Sequence, residues 1–238
     1  MWVRNQLDRA KESERILAPQ STVIAADMTF WGRQYGVCVF RSPTLSQNLW
    51  WDESSSETPE IYKRGYDVLR EQGWEIAAAV VDGKRGVAKV FEGIPVQYCQ
   101  FHQIKTVTKY LTRKPKTPAA QELRTLAITI TRTDEKTFIT RLSIWYERYR
   151  SFLEEYTICS YCKRKHYVHR RLRSAYRSLT TNLPFLFTYQ KYPELHIPNT
   201  TNCLDGMFSQ IKNRLAVHRG LRRDRRYKII GEILKGSN

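Results

Sequence analysis

Residues 76–102 read IAAAVVDGKRGVAKVFEGIPVQYCQFH. An unbroken apolar run ends in a single acid, Asp82, with Lys84 and Arg85 close behind and Cys99 and His102 closing the stretch. Continuous Ile, Ala and Val with no polar alternation predicts a strand buried on both faces, the pattern of a parallel sheet rather than a solvent-facing one. The Asp-Gly pair that ends it is also a turn signal. Whether Asp82 is a turn residue or a delivered carboxylate decides how the rest of the chain is read.

Working outward, VIAAD (23–27), YGVCVF (35–40) and NLWWD (48–52) are three short strand-like runs, close enough for an antiparallel meander. Pro59 suits the first turn of a helix with Thr58 as its cap. The helix, about 60–72, carries Ile61, Tyr62, Gly65, Val68 and Leu69 on one face and stops at Gly73. VAKVFEG predicts a short helix and PVQYCQF a fifth strand. Strand signals then cease, and residues 103–192 carry long helical patterns before the text changes to HIPNTTNCLDGMFSQIKNRLAVHRGL. The expected organisation is a polar helical arm (1–20), an α/β core (21–102 with 196–238) and a helical insertion (103–195).

The chain has 238 residues, 41% of them hydrophobic, enough for a substantial core. No stretch approaches the roughly 18 apolar residues of a membrane span, and the charged N-terminus lacks a signal-peptide core. A cytoplasmic protein is expected, with no membrane partner. Five cysteines, an odd number, argue against a disulfide framework. Forty Lys and Arg against 23 Asp and Glu leave a formal charge of +17, which favours a polyanionic partner. The basic residues concentrate in KRKHYVHRRLRSAYR and KNRLAVHRGLRRDRRYK. Lys84, Arg85, Lys105, Arg170, Arg171, Lys212, Arg214, Arg219 and Arg222 are the candidates to track DNA phosphates. Trp31, Trp50 and Trp51 offer stacking surfaces for an unpaired base or, for at least two of them, core packing.

Three acids stand where chemistry would need them. Asp27 ends the first strand and Asp82 the fourth; if those strands are parallel neighbours, both carboxylates emerge at one edge. Leu204, Phe208, Ile211 and Leu215 define one face of a helix with Asn202 as its natural N-cap and Asp205 in the first turn. Converging carboxylates in a basic protein suit Mg²⁺ or Mn²⁺, which take hard oxygen ligands. Taken singly, Asp27 and Asp82 read as strand-end turn residues or helix caps, and Asp205 as a capping acid at the positive helix end. Separately, CSYCKRKHYVH (159–169) presents Cys159, Cys162, His166 and His169. The C-x-x-C half has zinc-ligand spacing, so Zn²⁺ is a second candidate cofactor; the alternative is a basic loop with reduced thiols.

Acid, acid, helical insertion, acid is the order of a ribonuclease H-like core. The chain resembles the DDE/D transposases of bacterial insertion sequences, in the broad Mutator-like group. Three stretches carry the resemblance: AADMTFWGRQYG, VVDGKRG followed by CQFH, and IPNTTNCLDGMFSQIKNRLAVHRGL with the helix before it. It runs from about residue 20 almost to the end. The resemblance implies an α/β fold, a ribonuclease H-like mixed five-stranded sheet with a helical insertion before the third acid. It implies metal-dependent cleavage and transfer of double-stranded DNA at transposon ends, by a homodimer or higher oligomer on DNA, associated with the bacterial nucleoid. Asp27 would bridge two metal ions, with Asp82 and Asp205 each completing one site. Cys99, His102, Asn202 and His218 are family-signature positions. The family has Glu, in a TTN-x-LEG context, where this chain has Asp205. Its core also commonly follows an N-terminal DNA-binding region, whereas here the core starts near residue 20. A catalytically inactive, DNA-binding derivative or a truncated remnant is the alternative expectation.

Overall fold

The computed structural model describes residues 18–32, 35–216 and 220–236. The expected polar arm falls almost entirely outside them, as do His218 and Arg219. The architecture is mixed α/β. A five-stranded sheet is built from β1 (Ser21–Phe30), β2 (Gly36–Ser42), β3 (Gln47–Ser54), β4 (Glu75–Val81) and β5 (Val96–Tyr98), in the order β3-β2-β1-β4-β5. β1 pairs antiparallel with β2 and β2 with β3, whereas β4 runs parallel to both β1 and β5. The expected meander and the buried parallel strand at 76–81 are both present.

Strand alternation divides the interior into two layers. Ile24, Ala26, Cys38, Phe40, Ala79 and Val81 face one core. Val23, Ala25, Val37, Val39, Ala78 and Val80 face the other. The first layer is covered by α1 (Pro59–Glu71), α2 (Val87–Val90), α3 (Gln100–Leu111), α4 (Pro118–Ile128), α5 (Glu135–Glu154) and α6 (Arg170–Leu186). Helix α1 starts as expected, with Pro59 in its first turn and Thr58 preceding it. It comes close to the sheet at Gly65, where a Cβ would lie 2.6 Å from the Trp50 ring. The second layer is covered by α8 (Asn202–Ala216) and α9 (Arg223–Lys235), reached through the short helix α7 (Thr188–Lys191).

The inserted helices share the first core with the sheet. Phe138, Trp145, Leu172 and Leu179 belong to the same buried cluster as Ile24 and Phe40. The chain returns to the sheet through a buried polar knot. The Leu186 carbonyl accepts from Gln97 Nε2 at 3.0 Å and Gln100 Nε2 at 2.8 Å, and Thr188 Oγ1 donates to the Val96 carbonyl at 2.7 Å. Leaving such a carbonyl unpaired would cost about 1–3 kcal/mol, so these bonds specify where α6 ends relative to β5.

Four expectations need correction. Asp27 does not end β1, which runs on to Phe30 because β2 continues to pair with it on the other side. The fifth strand stops at Tyr98, and α3 begins at Gln100, placing His102 on a helix. The insertion, read as helices with a basic loop or zinc knuckle at 159–169, also contains a hairpin there, β6 (Tyr156–Ile158) with β7 (Lys165–Tyr167). The carbonyl that accepts the first turn of α8, from Leu204 and Asp205 N–H, belongs to Thr201 rather than Asn202. All three tryptophans lie against protein: Trp50 packs edge-on against Phe40, Trp31 lies beside Tyr35, and Trp51 packs on the second core.

Candidate functional site

The parallel pairing of β1 and β4 ends at Ala26 opposite Val81, so Asp27 and Asp82 are the next residues on adjacent strands. By alternation Asp27 follows Val23 and Ala25 toward the layer that α8 covers, whereas Asp82 lies just past the end of β4 and lines a cleft with residues of α3 and α6. Asp205 sits in the first turn of α8. The structure therefore brings residues from three distant stretches to one edge of the sheet.

The tight cluster differs in one member from the acid triad read in the sequence. Asp27, His102 and Asp205 present ligand atoms that all lie within 4.8 Å of one another. Asp82 stands outside this group; its carboxylate accepts the Lys84 backbone N–H at 3.0 Å, the bond of an Asx turn. It still acts through space, because its charge adds to that of Asp205 in raising the Asp27 pKa. His102 was legible as a signature position but not as a donor, since its role depends on α3 beginning two residues before it.

Charge explains how the cluster holds together. Asp27 is 6% exposed, and burial above all pushes its pKa up to about 7, against the pull of His102 and the Met28 N–H, which donates to Oδ1 at 2.7 Å. The His102 pKa is raised to about 9 by its interaction with the Cys99 side chain, opposed by burial and assisted by Asp27. Lys105, one turn along α3, places Nζ 3.7 Å from Asp205 Oδ1. Protonated His102 and Lys105 thus offset the carboxylates. Two buried atoms of the cluster, His102 Nδ1 and Asp205 Oδ2, nevertheless have no hydrogen-bond partner among the described residues. Buried polar atoms are almost always satisfied, so unpartnered atoms on two residues of one carboxylate–imidazole cluster suit the binding of a divalent ion.

Beside the cluster lies a cleft of about 610 Å³. Its walls include Asp82, His102, Lys84, Lys105, Lys109 and Arg177; Asp27 and Asp205 do not line it. The floor is stitched by Asn182 Nδ2 to Gln103 Oε1 at 2.8 Å and Gln103 Nε2 to Ser178 Oγ at 3.1 Å. Gly83 lets the loop after β4 approach α6, since a Cβ there would lie 2.9 Å from Asn182 Nδ2. Lys109 and Arg177 were not among the sequence candidates. The signal for Lys109 is helical spacing, four residues after Lys105 on α3, whereas Arg177 is brought to the cleft from α6 by packing alone.

The other basic candidates divide. Lys84 lies at the cleft with Nζ 3.6 Å from Glu57. Arg171 donates to the Lys109 carbonyl at 2.8 Å, closing the C-terminal end of α3. Arg170 and Arg171 line a different pocket, against 112–117. Arg85, Lys212, Arg214 and Arg222 are exposed away from the cleft walls. In the hairpin, Cys159, Cys162 and His166 form a second group with ligand atoms within 4.8 Å. His169 is not part of it; its Nε2 meets Glu155 at 2.9 Å and its ring stacks on Phe152 at 3.6 Å. No described helix is long and apolar enough to cross a membrane. The chain matches no family model and no curated protein.

Proposed function

We propose that the chain is the catalytic core of a metal-dependent enzyme that cuts and joins double-stranded DNA, a DDE/D-type transposase on a ribonuclease H-like fold. The observation that carries this is the convergence of Asp27, His102 and Asp205 within 4.8 Å, two of them with orphaned buried atoms, next to a basic cleft. A mixed sheet whose two acid-bearing strands are parallel neighbours supports the fold assignment.

Asp27, Asp205 and His102 are the residues that would hold a Mg²⁺ or Mn²⁺ ion, and Asp27 is also next in register to Asp82, the donor available for a second. Bound ions of this kind activate the attacking oxygen and stabilise the leaving one in phosphodiester displacement. The imidazole favours Mn²⁺ over Mg²⁺. Lys84, Lys105, Lys109 and Arg177 line the cleft and neutralise the backbone phosphates on either side of the cut. Cleavage adds water across one P–O bond, leaving a 3′-hydroxyl and a 5′-phosphate. Joining exchanges one P–O bond for another when that hydroxyl attacks a second strand, so no external energy source is required. Cutting two transposon ends together implies a homodimer on DNA.

A second reading is favoured by the position of Asp82, outside the cluster and engaged with the Lys84 N–H. A derivative that keeps DNA and metal binding without cleavage would have this feature. One experiment separates the two: supercoiled plasmid with Mn²⁺ or Mg²⁺, followed by an oligonucleotide with a free 3′-hydroxyl offered for joining. The enzyme reading expects nicking and joining that disappear in Asp27→Asn. Plasmid retention without nicking supports the inactive derivative, and nicking without joining supports a nuclease.

A further inference from the structure

The hairpin within the insertion has little to hold it. Its strands are three residues each, paired as Tyr156 with Tyr167, Thr157 with His166 and Ile158 with Lys165, and five of the six residues are exposed. Ile158 is 64% exposed and Tyr161, at the tip, 95%. A two-stranded ribbon without a buried face is marginal in water. Lys165 over the Tyr156 ring, at 3.6 Å, and Arg173 over Tyr167, at 3.7 Å, brace the base. Neither reaches the turn.

The turn itself is built around a sulfur. Cys159 N–H donates to the Arg164 carbonyl and Lys163 N–H to the Cys159 carbonyl, each at 3.0 Å. Lys163 takes a left-handed φ of 53°, a conformation that costs a side-chain-bearing residue energy. This folds Cys162 back so that its N–H donates to Cys159 Sγ at 3.3 Å. The pairing of Thr157 with His166 then sets the imidazole across from the two thiols. Both cysteines are free, and the three donor atoms fall within 4.8 Å. In a tetrahedral zinc site with Zn–S of about 2.3 Å, neighbouring donors stand roughly 3.5–3.8 Å apart, within that envelope.

We infer that Cys159, Cys162 and His166 form a zinc site that holds the β6–β7 turn, separate from the Asp27 cluster and different from it in chemistry. Two thiolates and an imidazole select Zn²⁺, whereas two carboxylates with an imidazole select a harder ion. The fourth position belongs to solvent, because His169 is committed to Glu155 and Phe152. The ion fixes the exposed tip that carries Tyr161, Lys163 and Arg164.

The test uses the full chain, purified reduced and without chelator. Elemental analysis should find zinc in stoichiometric amount. Co²⁺ exchanged into the site should give the thiolate charge-transfer band and intense visible bands of a tetrahedral ion. Both should vanish in Cys159→Ser/Cys162→Ser and survive in Asp27→Asn, Cys203→Ser and His169→Ala. Equal zinc in wild type and the double variant would overturn the proposal, as would loss of the metal in His169→Ala. A measurement on the wild type guards against misfolding of the variant: alkylation mapped by mass spectrometry should show Cys159 and Cys162 protected until a chelator is added. Equal alkylation with and without chelator would also overturn it.

Discussion

Cys99 and Thr201, remote in sequence, join the starts of two helices: the Cys99 thiol accepts both the Thr201 N–H and the Thr201 hydroxyl, each at 3.3 Å. Cys99 immediately precedes α3, and the Thr201 carbonyl begins α8. Gln100 and Asn199 reinforce the junction, through Gln100 N–H to the Asn199 carbonyl at 3.0 Å and Asn199 Nδ2 to Gln100 Oε1 at 3.1 Å. His102 in the first turn of α3 and Asp205 in the first turn of α8 are therefore positioned by a shared anchor. This gives the C-x-x-H spacing a physical meaning: the cysteine sets the helix start, and the histidine, one turn in, reaches the acids.

Removing that anchor should loosen both helices. Cys99→Ala leaves the buried Thr201 hydroxyl and N–H without an acceptor, at a cost of about 1–3 kcal/mol. The loss should appear in a urea or guanidinium titration. Mn²⁺ affinity should fall with it, and Cys99→Ser, which restores an acceptor, should recover part of both.

The acid cluster makes the metal-free protein sensitive to pH. Asp27 has its pKa raised to about 7, so the folded state holds a proton that the unfolded chain releases near 4. Its contribution is favourable at low pH and is lost as pH rises through about 7. His102, raised to about 9, is fully favourable below the unfolded value near 6.5 and loses its contribution as pH rises through about 9. Both slopes have the same sign, so these groups should lower stability steadily from about pH 4 to pH 9, Asp27 alone by roughly 4 kcal/mol. Asp27→Asn should remove the lower half of that slope in melts recorded across the range. On the proposed function, Mn²⁺ binding should show the opposite dependence, strengthening as Asp27 loses its proton, which titrations of Mn²⁺ at several pH values would measure.

Asp205 should be tolerant of length but not of charge loss. Asp205→Asn removes a carboxylate whose Oδ2 is buried without a partner and should weaken Mn²⁺ binding at least tenfold, about 1.4 kcal/mol. Asp205→Glu keeps the charge and should keep binding, measured by calorimetry. The Lys105 pair with Asp205 is half-exposed and contributes little to stability, so Lys105→Ala should leave the melting temperature nearly unchanged.

DNA affinity should depend on the cleft rather than on total charge. Arg177→Ala and Lys109→Ala should each weaken duplex binding and reduce the slope of log affinity against log salt by roughly 0.9 for each phosphate no longer neutralised. Arg148→Ala, on α5 outside the cleft lining and paired with Glu122 at 2.9 Å, should change neither. Equal effects from all three would mean that the cleft is not the binding surface.

Much of this was written in local pattern. Short apolar runs marked β1 to β4, Pro59 and Gly73 bounded α1, and the spacing of Leu204, Phe208, Ile211 and Leu215 marked the buried face of α8. Those signals are short-range, set by how side chains alternate along a strand or recur along a helix. What the tertiary structure alone decided is register and partnership. The pairing of Ala26 with Val81 put Asp27 beside Asp82, the Cys99–Thr201 anchor brought His102 rather than Asp82 into the cluster with Asp205, and the turn at Lys163 gathered two thiols while Glu155 drew His169 away. Each of these depends on residues far apart in the chain or on a single backbone angle, and neither leaves a periodic trace in sequence.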